Sequence, residues 1–250
     1  MKKNSQPNFI NRFIQLVYKM HNDGKFLSIV VPMFNEENTI GIVIERLLSV
    51  LRKLDLEYEI IVVDDHSKDN SVNKAFRYGV KVFKLRRHMG KGYALRAGFT
   101  KAKGTIIATI DSDGSHRPEE LPQLLKPILE NKADLVIGSR FSTPTSATSR
   151  RNQAGNRLFN ILIHILTQNP ISDSQSGYRV MTQSVLKSMN LKSGEYEIES
   201  EMLVKTVKKG FRIKEVPISF EQRTFGTSGI DPIIDGFKIL LSIIRAYVRN

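Results

Sequence analysis

The sequence predicts an α/β fold, a mostly parallel central sheet with helices on both faces. Two observations predict it. Short apolar runs recur between residues 26 and 138, and most are followed by apolar residues at helical spacing. Strand–helix alternation of that kind builds parallel sheets covered by their crossover helices. The chain is also the right size for one such domain: its 250 residues are 40% hydrophobic and 25% charged, ample for a sizeable core.

In chain order, residues 26–33 (FLSIVVPM) form an apolar run closed by proline, a buried strand. Asn35-Glu36-Glu37-Asn38 supplies an N-cap and first-turn acids, and Ile40, Ile44, Leu47, Leu48 and Leu51 follow at helical spacing. Residues 59–63 are a second strand ending in Asp64-Asp65, whose acids could also cap a helix over 69–78. Strands at 80–85 and 105–110 flank a helix over 90–102; a helix over 118–130 precedes a strand at 133–138. The alternation then fails. Residues 141–153 (FSTPTSATSRRNQ) read as a mobile, functional loop. Helices are expected over 156–167, 196–209 and 231–248, with a strand at 211–220 that Pro217 assigns to an edge. The division expected is a helical extension at 1–25, one α/β domain at 26–230 with a specialised C-terminal half, and an amphipathic helix at 231–250. Residues 9–20 carry an apolar stripe that suits core packing better than a lipid surface.

Composition excludes several classes. There is no cysteine, hence no disulfide, zinc–thiolate site, iron–sulfur cluster or thiol nucleophile; a reduced cytoplasmic setting is compatible with this. The longest apolar stretches, 158–166 and 239–244, fall short of the roughly 20 residues that cross a bilayer. Residues 1–6 are polar, without a signal-peptide core. The formal charge of +13 calls for anionic partners: nucleic acid, a membrane face or phosphorylated substrates. Lys81, Lys84, Arg86, Arg87, Lys91, Arg96, Lys101 and Lys103 lie in one segment free of acids, and Arg140, Arg150, Arg151 and Arg157 in another. A nucleic-acid track would come with a known recognition motif, and none accompanies the first run.

In open parallel sheets, ligands bind beyond the carboxyl ends of the strands. Three such ends matter: Pro32, Phe34, Asn35 and Glu36; Asp64 and Asp65; and Asp111-Ser112-Asp113-Gly114. Carboxylates gathered there repel one another unless a cation intervenes. Two carboxylates with diphosphate oxygens and water make the oxygen shell that Mg²⁺ or Mn²⁺ prefers.

The ordered segments IVVPMFNEEN, IVVDDHSKDN, HMGKGYALRAGF, ATIDSDGSHRPEELP, VIGSRF and SDSQSGYRV resemble the inverting family-two glycosyltransferases, and among them the dolichyl-phosphate (polyprenyl-phosphate) mannosyltransferases. The resemblance runs from about residue 27 to residue 228. It implies a GT-A fold, a nucleotide-diphospho-sugar donor, a divalent metal and a polyprenyl or dolichyl phosphate acceptor at the cytoplasmic face of a membrane. It further implies donor binding by Pro32, Phe34, Glu36, Val63, Asp65, Ser112 and Arg223, with Asp65 accepting from a base N–H and Pro32 and Phe34 forming an apolar wall. It implies metal binding by Asp111 and Asp113, with Ser115 as a further ligand, and phosphate binding by Arg140, Arg150 or Arg151, and Ser176. Asp113 and Arg140 are the expected catalytic pair, and Arg179 is either structural or part of the site.

Two positions depart from the mannosyltransferase pattern: Ser115 stands where glutamine is usual, and Gly229 where a lysine usually follows the Arg223–Ser228 loop. The resemblance makes mannose from GDP-mannose the first expectation; the two departures count against it, and a UDP-sugar with a lipid phosphate or glycan hydroxyl acceptor is the alternative. A phosphate acceptor needs no general base, whereas a hydroxyl does; Asp173, Glu197 and Glu199 are the candidate bases. The basic surface and the helices at 156–167 and 231–248 are expected to touch an anionic membrane peripherally.

Overall fold

The computed structural model describes residues 24–141, 150–221, 223, 225 and 234–248, with backbone alone at 150–155. The expected helix at 9–20 and residues Gly226, Ser228 and Gly229 lie outside them, as do the side chains of Arg150 and Arg151.

Seven strands, β1 (Phe26–Met33), β2 (Glu57–Asp64), β3 (Lys81–Lys84), β4 (Ile106–Thr109), β5 (Leu135–Ser139), β6 (Arg179–Thr182) and β7 (Ile213–Pro217), form one sheet in the order β3-β2-β1-β4-β6-β5-β7. All pairings are parallel except those of β6, which runs antiparallel between β4 and β5. The GT-A architecture follows: a mostly parallel sheet with helices on both faces. One face is covered by α1 (Ile40–Leu51), α2 (Ser71–Phe76) and α4 (Leu121–Leu129). The other is covered by α3 (Lys91–Lys101), α5 (Arg150–Thr167), α6 (Gln183–Ser188), α7 (Ile198–Lys208) and α8 (Ile234–Val248). β1 is buried on both faces, as its unbroken apolar run requires: Ile29 and Val31 join the first core, Val30 the second.

Some local expectations are corrected. The Asn35–Asn38 segment does not cap α1. Asn35 turns the chain at φ 53° and accepts from the Lys68 N–H at 2.8 Å, while Thr39 takes the N-cap position without a side-chain cap bond. Asp64 likewise closes a local turn on Ser67 N–H rather than capping a helix. Residues 150–153, expected in the loop, open α5. Pro217 does occupy the sheet edge, where a missing N–H costs no ladder bond.

β6 was not legible in the sequence, and it decides the site. An antiparallel strand begins where its parallel neighbours end, so the segment 173–178 is delivered to the carboxyl ends of β4 and β5. Thr109 Oγ1 donates to the Gly177 carbonyl at 2.7 Å, and Gly138 N–H to the Tyr178 carbonyl at 2.9 Å.

Close packing of α3 on the sheet rests on Gly98. A Cβ there would stand 2.3 Å from Val30 Cγ1 and 3.2 Å from Val63 Cγ2. Overpacking of this kind costs about 1–3 kcal/mol, partly offset by the helix propensity of alanine. Gly98→Ala should lower the urea midpoint with little change in slope, and Val30→Ala in the same chain should recover part of the loss.

Candidate active site

The strand order reverses between β1 and β4: β1 leads outward through β2 and β3, and the chain returns to β4 on the other side. Ligands of open α/β sheets bind in the crevice at such a switch point. The two loops meet there, with Ser112 Oγ donating to the Pro32 carbonyl at 2.8 Å. Pro32 is buried and Val63 is fully buried against Ala94 of α3. Both therefore support the crevice from beneath and do not form its surface. The exposed apolar wall is instead Phe34 stacked on His88, ring centroids 4.1 Å apart. Asp65, expected to meet a base, accepts from the N–H groups of Met89 and Gly90 at 2.7 Å each and pairs with His88 Nδ1 at 2.8 Å. In this conformation it fixes the turn into α3.

That turn carries Lys91, which the sequence reading left without a role. Its ammonium lies 2.7 Å from Asp111 Oδ1 and 2.9 Å from Glu199 Oε1. Burial alone would lower the lysine's pKa, but the two carboxylates outweigh it and hold it above the ordinary lysine range. Burial likewise opposes ionisation of Asp111, and Lys91 with His116 reverses this, keeping its carboxyl well below the ordinary range. His116 is buried against the Tyr178 and Phe220 rings, 3.5 Å from Asp111 Oδ2. The backbone closes over the pair so tightly that a Cβ at Gly177 would fall 2.6 Å from Asp111 Oδ2. Gly90 and Gly92 press on residues 193–195 in the same way. The Gly-Lys-Gly spelling was the available signal: two close backbone contacts flanking a cation.

Asp113 Oδ1 accepts from Ser115 N–H at 3.0 Å and from Ser115 Oγ at 2.6 Å, and Oδ2 lies 4.0 Å from Arg223. Ser115, expected as a ligand, thus serves here to orient Asp113. Among the described residues no group of three or more acidic, His or Cys side chains could hold a metal alone. The donor set nonetheless fits a hard cation that takes the rest of its shell from phosphate and water: Asp111 and Asp113 are oxygen donors, each about a quarter exposed at the crevice. Arg223 reaches across to pair with Glu36, whose other oxygen accepts from Thr39 Oγ1 at 2.8 Å. Burial pushes the Glu36 carboxyl up to about 7 against the Thr39 bond and Arg223, with Asp113 and Asp111 adding to the rise.

Arg140 follows β5. Its Nε and Nη2 form a fork on Asp173 at 2.7 and 2.8 Å, and its N–H donates to the same carboxylate at 3.0 Å. Asn156 Nδ2 completes the Asp173 shell at 3.0 Å. Phe141 and Phe220 lie near the guanidinium, at 5.5 and 5.2 Å. Ser176 is fully buried and accepts from Tyr178 N–H, so its hydroxyl is not presented to a phosphate. Arg179 is structural: fully buried, it donates to the carbonyls of Ser174, Ser176 and Glu199. The candidate bases are all engaged, Asp173 by Arg140, Glu197 by the N–H groups of Gly194 and Glu195, and Glu199 by Lys91. Glu199 is 2% exposed, not solvent-facing. The site therefore joins acids at 36, 111 and 113 to cations at 91, 140 and 223.

Comparison with known proteins bears on the family and the fold. The family described as Glycosyl transferase family 2 matches residues 28–189. The uncharacterised protein MJ1222 of Methanocaldococcus jannaschii is 34% identical over 97% of this chain and 96% of its own length. A UDP-N-acetylglucosamine–dolichyl-phosphate N-acetylglucosaminyltransferase of Methanococcus voltae is 29% identical over 88% of this chain and 95% of its length. A dodecaprenyl-phosphate galacturonate synthase of Rhizobium johnstonii is 28% identical over 87% of this chain and 65% of its length. Among solved structures, glucosyl-3-phosphoglycerate synthase of Mycobacterium tuberculosis, crystallised with Mn²⁺, UDP-glucose and phosphoglyceric acid, superposes with a TM-score of 0.75 at 22% identity, over 92% of this chain and 82% of that one.

Two tests probe the charge arrangement. Lys91→Gln leaves Asp111 and Glu199 facing each other, and breaking a buried ion pair costs about 3–5 kcal/mol; partial exposure of Lys91 and Asp111 should reduce this to about 2–3 kcal/mol. Glu199→Gln added to Lys91→Gln should recover much of that loss in a double-mutant cycle. For Asp173, burial would raise the carboxyl but Arg140 overrides it and holds the pKa down. A depressed folded value stabilises the protein above the unfolded aspartate pKa of about 3.9. That contribution should disappear as pH falls through the folded value. Thermal melts from neutral to acid pH should show a shallower acid limb for Asp173→Asn, with lower stability at neutral pH.

Proposed function

Because this chain belongs to glycosyl transferase family 2, we propose that it moves a sugar from a nucleoside-diphosphate donor onto the phosphate of a polyprenyl lipid, with inversion, at the cytoplasmic face of a membrane. The observation that carries the acceptor class is that the three candidate bases named from the sequence are already engaged. Asp173, Glu197 and Glu199 are each held by a cation or by backbone N–H groups. A hydroxyl acceptor must lose a proton during attack. A lipid phosphate is already anionic and needs only positioning and charge neutralisation, which Arg140 supplies once Asp173 has fixed its fork.

In this reading a phosphate oxygen of the acceptor attacks the anomeric carbon while that carbon's bond to the nucleoside diphosphate breaks on the opposite face. Lys91 and Arg223 offset the negative charge that gathers on the leaving diphosphate. Asp111 and Asp113 would hold Mg²⁺ or Mn²⁺, which would supply Lewis-acid neutralisation of the leaving diphosphate. Phe34 and His88 offer the base a stacking face, and Ser112 lines the floor. The relatives named above act with UDP-N-acetylglucosamine or make a galacturonate product, which favours a UDP-sugar over GDP-mannose.

Among the described residues no helix is long and apolar enough to cross a membrane. Leu158, Ile161 and Ile165 on α5 and Phe237, Ile244 and Val248 on α8 are exposed. In a chain of charge +13, they support peripheral attachment to an anionic leaflet.

A panel of labelled UDP- and GDP-sugars, with and without polyprenyl phosphate and Mn²⁺, followed by organic extraction, tests the proposal. Label should enter the organic phase only with polyprenyl phosphate, and with a UDP-sugar ahead of GDP-mannose. Asp111→Asn and Asp113→Asn should each lower turnover at least about 100-fold, the scale of losing one electrostatic stabiliser. Label transferred to a glycan hydroxyl alone would overturn the acceptor class.

A further inference from the structure

The acid-free basic run at 81–103 is only partly absorbed by the site. Lys81 pairs with Glu59, Lys84 with Asp64, and Lys91 with Asp111 and Glu199. Arg86, Arg87 and Arg96 are used differently. They line a groove of about 580 Å³ between the segment before α3 and the outer face of α3, together with Tyr93 and Met89 and with no carboxylate among the lining residues.

The contrast with other arginines is informative. Arg46, Arg140 and Arg212 each set Nε and Nη2 on a carboxylate, that of Glu119, Asp173 and Asp134 respectively, at 2.7–2.9 Å. In the groove, Arg87 Nε rests on the thioether of Met89 at 3.1 Å. Arg96 Nε is out of solvent and has no hydrogen-bond partner. A buried donor without an acceptor costs about 1–3 kcal/mol and calls for an explanation. Arg96 is also held in place: its guanidinium lies over the Tyr93 ring, 4.3 Å from the centroid, and Nη1 donates to the Leu191 carbonyl at 3.2 Å. A planar, stacked guanidinium with two exposed arginines beside it is preorganised for an anion with several acceptor oxygens.

We propose that the groove formed by Arg86, Arg87, Arg96 and Tyr93 is a second anion site, distinct from the crevice at Asp111 and Asp113, which binds a phosphate group. The phosphate comes either from an anionic phospholipid headgroup or from free phosphate. The groove abuts the donor crevice: Met89 lines it with its side chain while its N–H holds Asp65 at 2.7 Å. The site stands whether or not the sugar-transfer reading does, because it rests on the groove alone.

The test uses the full chain in two arms: calorimetric titration with inorganic phosphate, and co-sedimentation with phosphatidylcholine vesicles with and without phosphatidylglycerol. Arg86→Ser/Arg87→Ser changes exposed residues and should fold; Arg96→Gln keeps a donor and most of the side-chain volume and should be checked by its melt. Each variant should weaken binding by about tenfold or more, the factor carried by one charge-assisted hydrogen bond, in whichever arm the wild type binds. Transfer to a short-chain, water-soluble acceptor should be unchanged. Binding to phosphatidylglycerol vesicles without saturable phosphate binding identifies the headgroup, and the converse identifies free phosphate. No binding in either arm, equal binding by wild type and both variants, or arginine-dependent binding of a single-stranded oligonucleotide alone would each overturn the proposal.

Discussion

The structure of the site depends on one half-buried ammonium. Lys91 stands between Asp111 and Glu199, and without it two acids at the bottom of the crevice would face each other in a poorly solvated place. Lys91 is positioned by the backbone around it together with the Asp65 carboxylate. Asp65 grips the N–H groups of Met89 and Gly90, Tyr93 N–H reaches the Gly194 carbonyl, and Gly90, Gly92 and Gly177 let neighbouring segments approach closer than any side chain permits. The acidic end of β2, the start of α3, the end of β4 and the entry to β6 are thereby tied together through one cation and its hydrogen-bonded surroundings.

A second pairing, Arg140 with Asp173, fixes the opposite wall. Both walls use the same device, in which a buried carboxylate immobilises a cation whose work lies elsewhere. Immobilisation matters because a guanidinium or ammonium free to move would lose entropy on meeting a phosphate, whereas one already held does not. In the proposed reaction the same logic argues against Asp173 and Glu199 as bases. A carboxylate that anchors an arginine or a lysine cannot also take a proton from an acceptor without releasing the cation the reaction needs.

The first half of the fold was legible in the sequence because its signals are local. The apolar run FLSIVVPM can only be a strand buried on both faces, and the spacing of Ile40, Ile44, Leu47 and Leu51 marks a helix face. Strand ends bearing Glu36, Asp65, Asp111 and Asp113 pointed to the crevice for the same reason. β6 was not legible: four residues opening with a buried arginine look like loop until the pairing partners on either side are known. The partners of Lys91 were equally hidden, since Glu199 lies over a hundred residues away and reads locally as one acid of an exposed helix start. Conversely, Pro32 and Val63 matched a donor-binding pattern in sequence yet contribute from beneath the surface, because strand residues just before the end still belong to the core.

The antiparallel β6 also explains how one sheet edge brings together two charged clusters. In a wholly parallel sheet each strand end would deliver only the segment that follows it. Reversing one strand brings the segment that precedes it, residues 173–178, to the same edge. That edge therefore holds, on adjoining loops, the acids and lysine suited to a diphosphate and the arginine suited to a second phosphate. Phe220 and Glu221 cross from β7 to bond His116 and Ser115, so the floor of one half is pinned by the strand that closes the other. A site assembled from both halves of the chain in this way cannot form before the sheet is complete. The chemistry is thus a property of the sheet's topology, and no single motif carries it alone.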